Sequence, residues 1–364
     1  MAAAAAPAPG VSIKSQLDAL IGGESLSEAQ AHEACSNIAD GLVASEQVAA
    51  LLALLARKGA ASTEIAGFAR AMRERATHIA IADDAVVAGE VPCSGPIVDI
   101  VGTGGDGHDT LNISTTAAIL AAASGCRVAK HGSVSSSSLS GSADVLQRLG
   151  VAMLAPEGIS PSIAAAGIAF MFAPNFHPAM RHVAPVRRAL GVRTIFNVLG
   201  PLLNPANARR LVLGVWSPKL LQPYADALLS LGSVEHALVV HCCGLDELAP
   251  IGVADAIEIA DGKAVQTSID TVAIAGPACG IADLKGGGPQ HNADAITELL
   301  EGGEAAANSA VGRTVALNAA AALYVCGKSA SIHDGFKVAQ AALASGKGAV
   351  VLRRWATHCR TATA

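Results

Sequence analysis

Aromatic side chains make up only 3% of the 364 residues, and charged ones only 15%. With so few rings, the interior has to be assembled from Ala, Val, Leu and Ile, which suits closely packed helices over a sheet. Hydrophobic residues reach 51%, so extensive disorder is excluded. A basic excess is also missing. The formal net charge of −5 argues against a nucleic-acid partner. No apolar run approaches the roughly 18 residues that span a bilayer, so no membrane partner is expected. The eight cysteines show no C-x-x-C spacing, and Cys242 and Cys243 are adjacent. They read as free thiols of a reducing compartment. Residues 1–11 are Ala- and Pro-rich and are expected to be disordered. They lack the basic start and long apolar run of a secretory signal, while the remnant of an organelle transit peptide stays open. The protein is therefore read as intracellular and soluble.

Residues 12–90 are expected to form a small all-helical domain of three or four helices. Ser27-x-x-Gln30 is a capping box, and Ser45 and Ser62 head further helical runs. Val48, Leu51, Leu52 and Leu55 repeat at helical spacing, as do Ile65, Phe68, Ala69 and Met72. The basic trio Arg70, Arg73 and Arg75 reads as a solvated helix end, where the dipole favours cations. Residues 91–364 are expected to form a larger α/β domain with a central, mostly parallel sheet flanked by helices. Its candidate strands are 97–101, 127–129, 169–172, 211–215 and 237–240, and helices are expected at 115–124 and 142–149. A helical excursion near 180–205 joins the helical domain.

Between the first two strands lies G-T-G-G-D-G-H-D-T-L-N-I-S-T-T, starting at Gly102. It matches G-x-G-x-x-G after a strand, yet it is not a dinucleotide fingerprint. That motif needs a helix starting within the glycines and an acidic residue closing the second strand. Here the helix starts only near Ser114, and the second strand ends in Lys130-His131. It is not a Walker A loop either, because no G-K-[ST] follows it. The composition still suits an anion. Glycines let backbone N–H groups approach phosphate oxygens. Ser114, Thr115 and Thr116 stand at a helix start, with hydroxyls and the positive dipole end. Lys130 adds a full charge. The plain alternative is a capped helix behind an ordinary Gly turn.

Asp246 and Glu247 follow the 237–240 strand, and two carboxylates at a strand end are a candidate Mg²⁺ site. Alone, such a pair is usually a solvated loop. His177, Arg181, His182, Arg187 and Arg188 form a basic segment, in which an arginine could grip an acidic second substrate. The alternative is a basic helix face.

These constellations resemble the anthranilate phosphoribosyltransferase family. G-T-G-G-D, N-x-S-T, S-S-x-S-G-S-A-D-V-L, F-x-P-x-x-H-P-A-M, the V-R…T-x-F-N-x-L-G-P-L-x-N-P segment and G-L-D-E all stand in order across about residues 12–355. The wording from His241 to Gly252 resembles plant and algal members, so the compartment is expected to be cytoplasmic, or a plastid for such a source. The resemblance implies transfer of phosphoribose from 5-phosphoribosyl 1-pyrophosphate to the amine of anthranilate, in tryptophan synthesis, with Mg²⁺ and as a homodimer. It implies that Gly102, Thr103, Gly104, Gly105, Asp106, Thr110, Asn112, Ser114, Thr115, Lys130 and Ser138 hold the donor. Ser114, Asp246 and Glu247 would approach Mg²⁺. Gly102, His131, Ser133, His177 and Arg187 would contact anthranilate, and Lys130 and His131 are the catalytic candidates. Two positions depart from the family's K-H-G-N-R. Ser133 replaces the Asn and Val134 replaces the Arg, which removes a cation near the substrates. A non-catalytic nucleic-acid-binding relative and a nucleoside phosphorylase are the alternative readings.

Overall fold

The computed structural model describes residues 10–81, 93–135 and 138–363. These fall into two compact units: one from the chain start to Ala76 together with His177–Leu203, the other Thr77–Phe176 with Asn204–Ala364. The expected domain limit near residue 90, and most of the expected disordered tail, lie outside the described residues.

The helical unit contains helices Lys14–Ile21, Glu28–Ala39, Ser45–Lys58, Ser62–Glu74, Met180–Leu190 and Phe196–Leu199. Ser27 forms the expected capping box with Gln30. Ser45 and Ser62 are first helical residues rather than caps. At the Ser62 helix the capping falls to the fully buried Glu64. Its carboxylate accepts from the backbone N–H groups of Leu26 and Ala61 and from Lys58 Nζ. The arginine trio is not a solvated end. Arg70 pairs with Glu28 at 2.6 Å, Arg75 forks onto both Asp40 oxygens, and Arg73 Nε donates to the Leu202 carbonyl at 2.6 Å. Neighbouring helices supply acceptors that helical spacing within one segment does not reveal.

The second unit is built on a seven-stranded sheet of order β3-β2-β1-β4-β5-β6-β7. Its strands are β1 Ile97–Gly102, β2 Arg127–Gly132, β3 Ile168–Phe172, β4 Arg210–Gly214, β5 His236–His241, β6 Val253–Ala260 and β7 Lys263–Asp270. The first five run parallel and are buried, four of them mostly apolar, whereas β2 also buries Arg127, Lys130 and His131. β6 and β7 add an antiparallel hairpin that the sequence reading missed. Its turn, Asp261-Gly262, has positive φ at both residues, a D-G hairpin signal that was available. β7 is largely exposed and weakly apolar, so periodicity alone did not single it out.

The helix that follows β1, Ile113–Ala123, is buried along its length, as is most of Ala310–Val325. Their alanines let helices and sheet approach closely, which is how a core with so few rings is filled. Among the described residues, no helix is long and apolar enough to cross a membrane.

Candidate active site

The loops at the C-terminal ends of β1, β2, β4 and β5 converge, the usual place for ligands in an open parallel sheet. β1 ends at Gly102 and β4 at Gly214, paired in register. A Cβ on Gly102 would strike the Asp246 carboxylate, and one on Gly214 would overlap the Asp246 backbone carbonyl. The two glycines therefore admit the carboxylate turn that follows β5. Asp246 Oδ2 accepts the Gly104 N–H at 2.5 Å, and Glu247 Oε1 accepts the Ser114 N–H at 3.0 Å. Two segments far apart in sequence thus meet, the glycine loop and the Asp246-Glu247 pair.

Gly104 and Gly105 have φ of 65° and 86°, so the loop between Thr103 and Asp106 takes a path closed to most side chains. Thr103 N donates to the Gly214 carbonyl and its Oγ1 accepts from Trp216 N, which pins the loop to the end of β4. Asp106 adds negative charge beside Asp246 and accepts the His108 N–H at 3.2 Å. Thr110 bridges to Lys285. Ser114 sits in the first turn of its helix, where N–H groups lack helical partners.

Other expected donor residues are engaged inside the protein. Lys130 is 2% exposed. Its Nζ donates to the Ile100 carbonyl at 2.6 Å and to Ser114 Oγ at 3.3 Å. Its charge reaches the loop through Ser114. Asn112 donates to the Ser140 carbonyl and accepts from Asn292, while the buried Thr115 donates to Ser142 Oγ. These three hold the loops together. Ser138 is exposed and hydrogen-bonds Ser135. Ser133 is half-buried and its carbonyl accepts from Ala143 N, while Val134 is 51% exposed. His131 is buried in β2 and its N–H donates to Asp99. His177 and Arg187 belong to the helical unit. Arg187 donates to Asn197 Oδ1 at 3.4 Å, lies 5.7 Å over the Phe196 ring, and burial pushes its guanidinium below the usual arginine range.

The electrostatics are those of crowded, dry carboxylates. Burial first, then Glu247 and Asp106, push Asp246 well above the usual carboxylate range. Burial pushes Glu247 up to about 7, against the pull of Lys130 and the Ser114 N–H. Lys130 is pushed down by burial, with Asp99, Glu247 and Asp246 opposing. Like charges held in low dielectric favour a proton or a cation between them.

Three asparagines stand in segments that the sequence resemblance covers, but their roles were not read from it. Asn318, 1% exposed on the Ala310–Val325 helix, grips both backbone groups of Leu248, accepting its N–H at 3.1 Å and donating to its carbonyl at 2.7 Å. It thereby fixes the residue after Glu247. Asn204 donates to Asp99 Oδ2 and the Ala129 carbonyl, and Asn292 links Asn112 to Gly287. Nothing local marks a buried asparagine as a clamp, because its partners are about 70 to 180 residues away. Replacing Asn318 with Ala is expected to cost about 1–3 kcal/mol, since two buried backbone groups lose partners. It should also weaken the response to Mg²⁺ by about 10–100-fold. Thermal melts and Mg²⁺ titrations of the purified variant check both.

The family model for the α/β domain of a glycosyl transferase family matches residues 94–349, and that for its helical bundle domain matches residues 14–76. Anthranilate phosphoribosyltransferase from Thermus thermophilus is 44% identical over 339 residues, covering 93% of this chain and 97% of that protein. The Shewanella baltica enzyme is 42% identical over 347 residues, 94% of each. The chain belongs to the anthranilate phosphoribosyltransferase family. Among solved members of the family, the Thermus thermophilus crystal structure superposes with a TM-score of 0.84 at 42% identity, covering 94% of this chain and 99% of that one. A Saccharomyces cerevisiae family member in complex with PRPP and Mg gives 0.83 at 26% identity, over 96% and 98%. Another complex of the yeast enzyme holds 4-fluoroanthranilate.

Proposed function

We propose that this protein transfers the phosphoribosyl group from 5-phosphoribosyl 1-pyrophosphate to the amine of anthranilate, giving N-(5-phosphoribosyl)anthranilate and pyrophosphate in tryptophan synthesis. The observation that carries the reading is the meeting of the Gly102–Asp106 loop and the Ser114 helix start with Asp246 and Glu247, in a family whose yeast member binds PRPP and Mg. The two alternative readings drop out, because the high-coverage relatives are transferases for anthranilate.

The donor set fits Mg²⁺. Two carboxylates and the Ser114 hydroxyl are hard oxygens, and the crowded carboxylates are relieved by a divalent charge. Among the described residues no group of three or more His, Cys, Asp or Glu forms a cage, and Mg²⁺ usually keeps waters and substrate oxygens as ligands, so a site of two carboxylates and a hydroxyl would suffice to hold it. Asp246, Glu247 and Ser114 would hold the ion, which would supply charge neutralisation of a departing diphosphate. The Gly104–Asp106 backbone and the Ser114 helix start orient the diphosphate, and Lys130 holds Ser114 in place. The family resemblance assigns the anthranilate carboxylate to Arg187. Anthranilate's amine needs orientation more than activation. The family resemblance supports a homodimer through the helical unit, which sedimentation of the full chain tests.

Loss of anthranilate fluorescence on adding donor and Mg²⁺ tests the activity, and a folded protein without turnover would overturn it. A pH dependence follows as well. Glu247 titrates near 4.5 unfolded and about 7 folded, so between these values the fold binds the extra proton and stability falls as pH rises. A cation must displace that proton. Apparent Mg²⁺ affinity should drop about tenfold or more per pH unit below about 7, since Asp246 is pushed up as well. A flat series of Mg²⁺ titrations across that window would count against Glu247 as a ligand.

A further inference from the structure

Cys242 and Cys243 have no part in the chemistry above, yet they join β5 to the carboxylate turn. Cys242 N donates to the Leu245 carbonyl at 3.1 Å and Leu245 N to the Cys242 carbonyl at 2.9 Å, closing a tight turn over Cys243 and Gly244. Both central residues have positive φ, 51° and 101°. That is a mirror-image hairpin turn, where Gly, Asn or Asp is the usual first residue. Cysteine is misplaced there by backbone preference, and burial does not compensate, because Cys243 is exposed. Strain of this kind beside a binding loop points to a use for the side chain.

The use is indicated by its neighbour. Cys242 is buried and its Sγ donates to the Ala249 carbonyl at 3.3 Å, while the exposed Cys243 Sγ donates to the Val253 carbonyl at 3.7 Å. One accessible and one enclosed thiol therefore stand on adjacent residues. Burial pushes Cys242 up to about 11, so Cys243 is the one that meets a reagent first.

We propose that Cys242 and Cys243 are a reversible oxidation site for hydroperoxides, and that their disulfide disables the adjoining Asp246-Glu247 site. Cys243 sulfur attacks a peroxide oxygen. The S–O bond forms, the O–O bond breaks, and water (or an alcohol) leaves. Cys242 sulfur then attacks the sulfenic sulfur. The S–S bond forms, the hydroxyl leaves with the Cys242 proton as water, and the dithiol has lost two electrons to the peroxide. Adjacent Cα atoms lie about 3.8 Å apart, less than the usual disulfide span of about 4.4–6.8 Å. The eight-membered ring is therefore strained and easily reduced, and closing it requires a rotation of the turn's φ and ψ that brings together two sulfurs now bonded to different carbonyls. That rotation cannot be absorbed locally, because the Asp246 carbonyl lies hard against Gly214. The effect on activity rests on the reading of Asp246 and Glu247 as Mg²⁺ ligands, whereas the disulfide itself does not.

Among the other thiols, buried Cys126 and Cys326, at the opposite end of the parallel strands, interact most strongly with one another and are the competing pair. The test oxidises the full-length protein with hydrogen peroxide, maps disulfides by mass spectrometry after alkylation, and measures Mg²⁺-dependent turnover before and after dithiothreitol. The expected result is an intrapeptide disulfide at 242–243 and a loss of turnover of about tenfold or more, restored by reductant. Cys243→Ser, or Cys243→Asn if serine folds poorly, should match wild-type turnover when reduced and resist peroxide. Cys326→Ser should remain sensitive. Full turnover of the oxidised wild type, no 242–243 disulfide, or sensitivity that persists in Cys243→Ser and vanishes in Cys326→Ser would each overturn the proposal. A reduced protein without turnover would fault the proposed function instead, and the disulfide map would still decide whether the thiol pair reacts.

Discussion

Asp246→Asn combined with Glu247→Gln should lower kcat/KM for the phosphoribosyl donor by about 10²–10³-fold and flatten its dependence on Mg²⁺. The substitutions keep size and the acceptor oxygens that bond the Gly104 and Ser114 N–H groups, but remove the charge that recruits the cation. The fold should not suffer. Both carboxylates are held above their ordinary range by burial and mutual repulsion, so their ionised forms cost stability. Neutral isosteres remove that cost, and the variant is expected to melt at or above the wild-type temperature at neutral pH. Low activity with a raised melting point separates a lost metal site from a damaged fold. Unchanged Mg²⁺ dependence would remove the pair from the metal site.

Arg187→Ala should raise KM for anthranilate by about 10–100-fold and leave KM for the donor within a few-fold, because a charge-assisted contact is worth about 1.5–3 kcal/mol. Arg187 is held in place by Asn197 and the Phe196 ring, so its guanidinium is pre-oriented. Arg187→Lys keeps charge without the planar fork and should recover only part of the affinity. Equal effects on both substrates would sink the assignment. A melting curve controls for the packing lost over Phe196.

The glycine loop, the Ser114 helix start and the carboxylate pair were legible in the sequence, because each is a short local pattern with its own physical reason. What each residue does there was less so. Lys130, expected to meet phosphate, is enclosed under Ser114, and Asn112 and Thr115 clamp loops to one another. The arginine trio shows the same gap, since its partners come from other helices. The β6–β7 hairpin escaped because an exposed strand carries little apolar signal.

The sequence by itself determined most element types, the parallel part of the sheet, the family and the reaction class. Those follow from apolar periodicity, from glycine and hydroxyl placement, and from motifs a few residues long. Only the tertiary structure decided that Gly102 and Gly214 make room for Asp246, that Asn318 fixes the chain after Glu247, and that Cys243 is exposed in a strained turn while Cys242 is buried. These are relations between residues brought together by folding or set by burial, and a linear pattern carries no record of either.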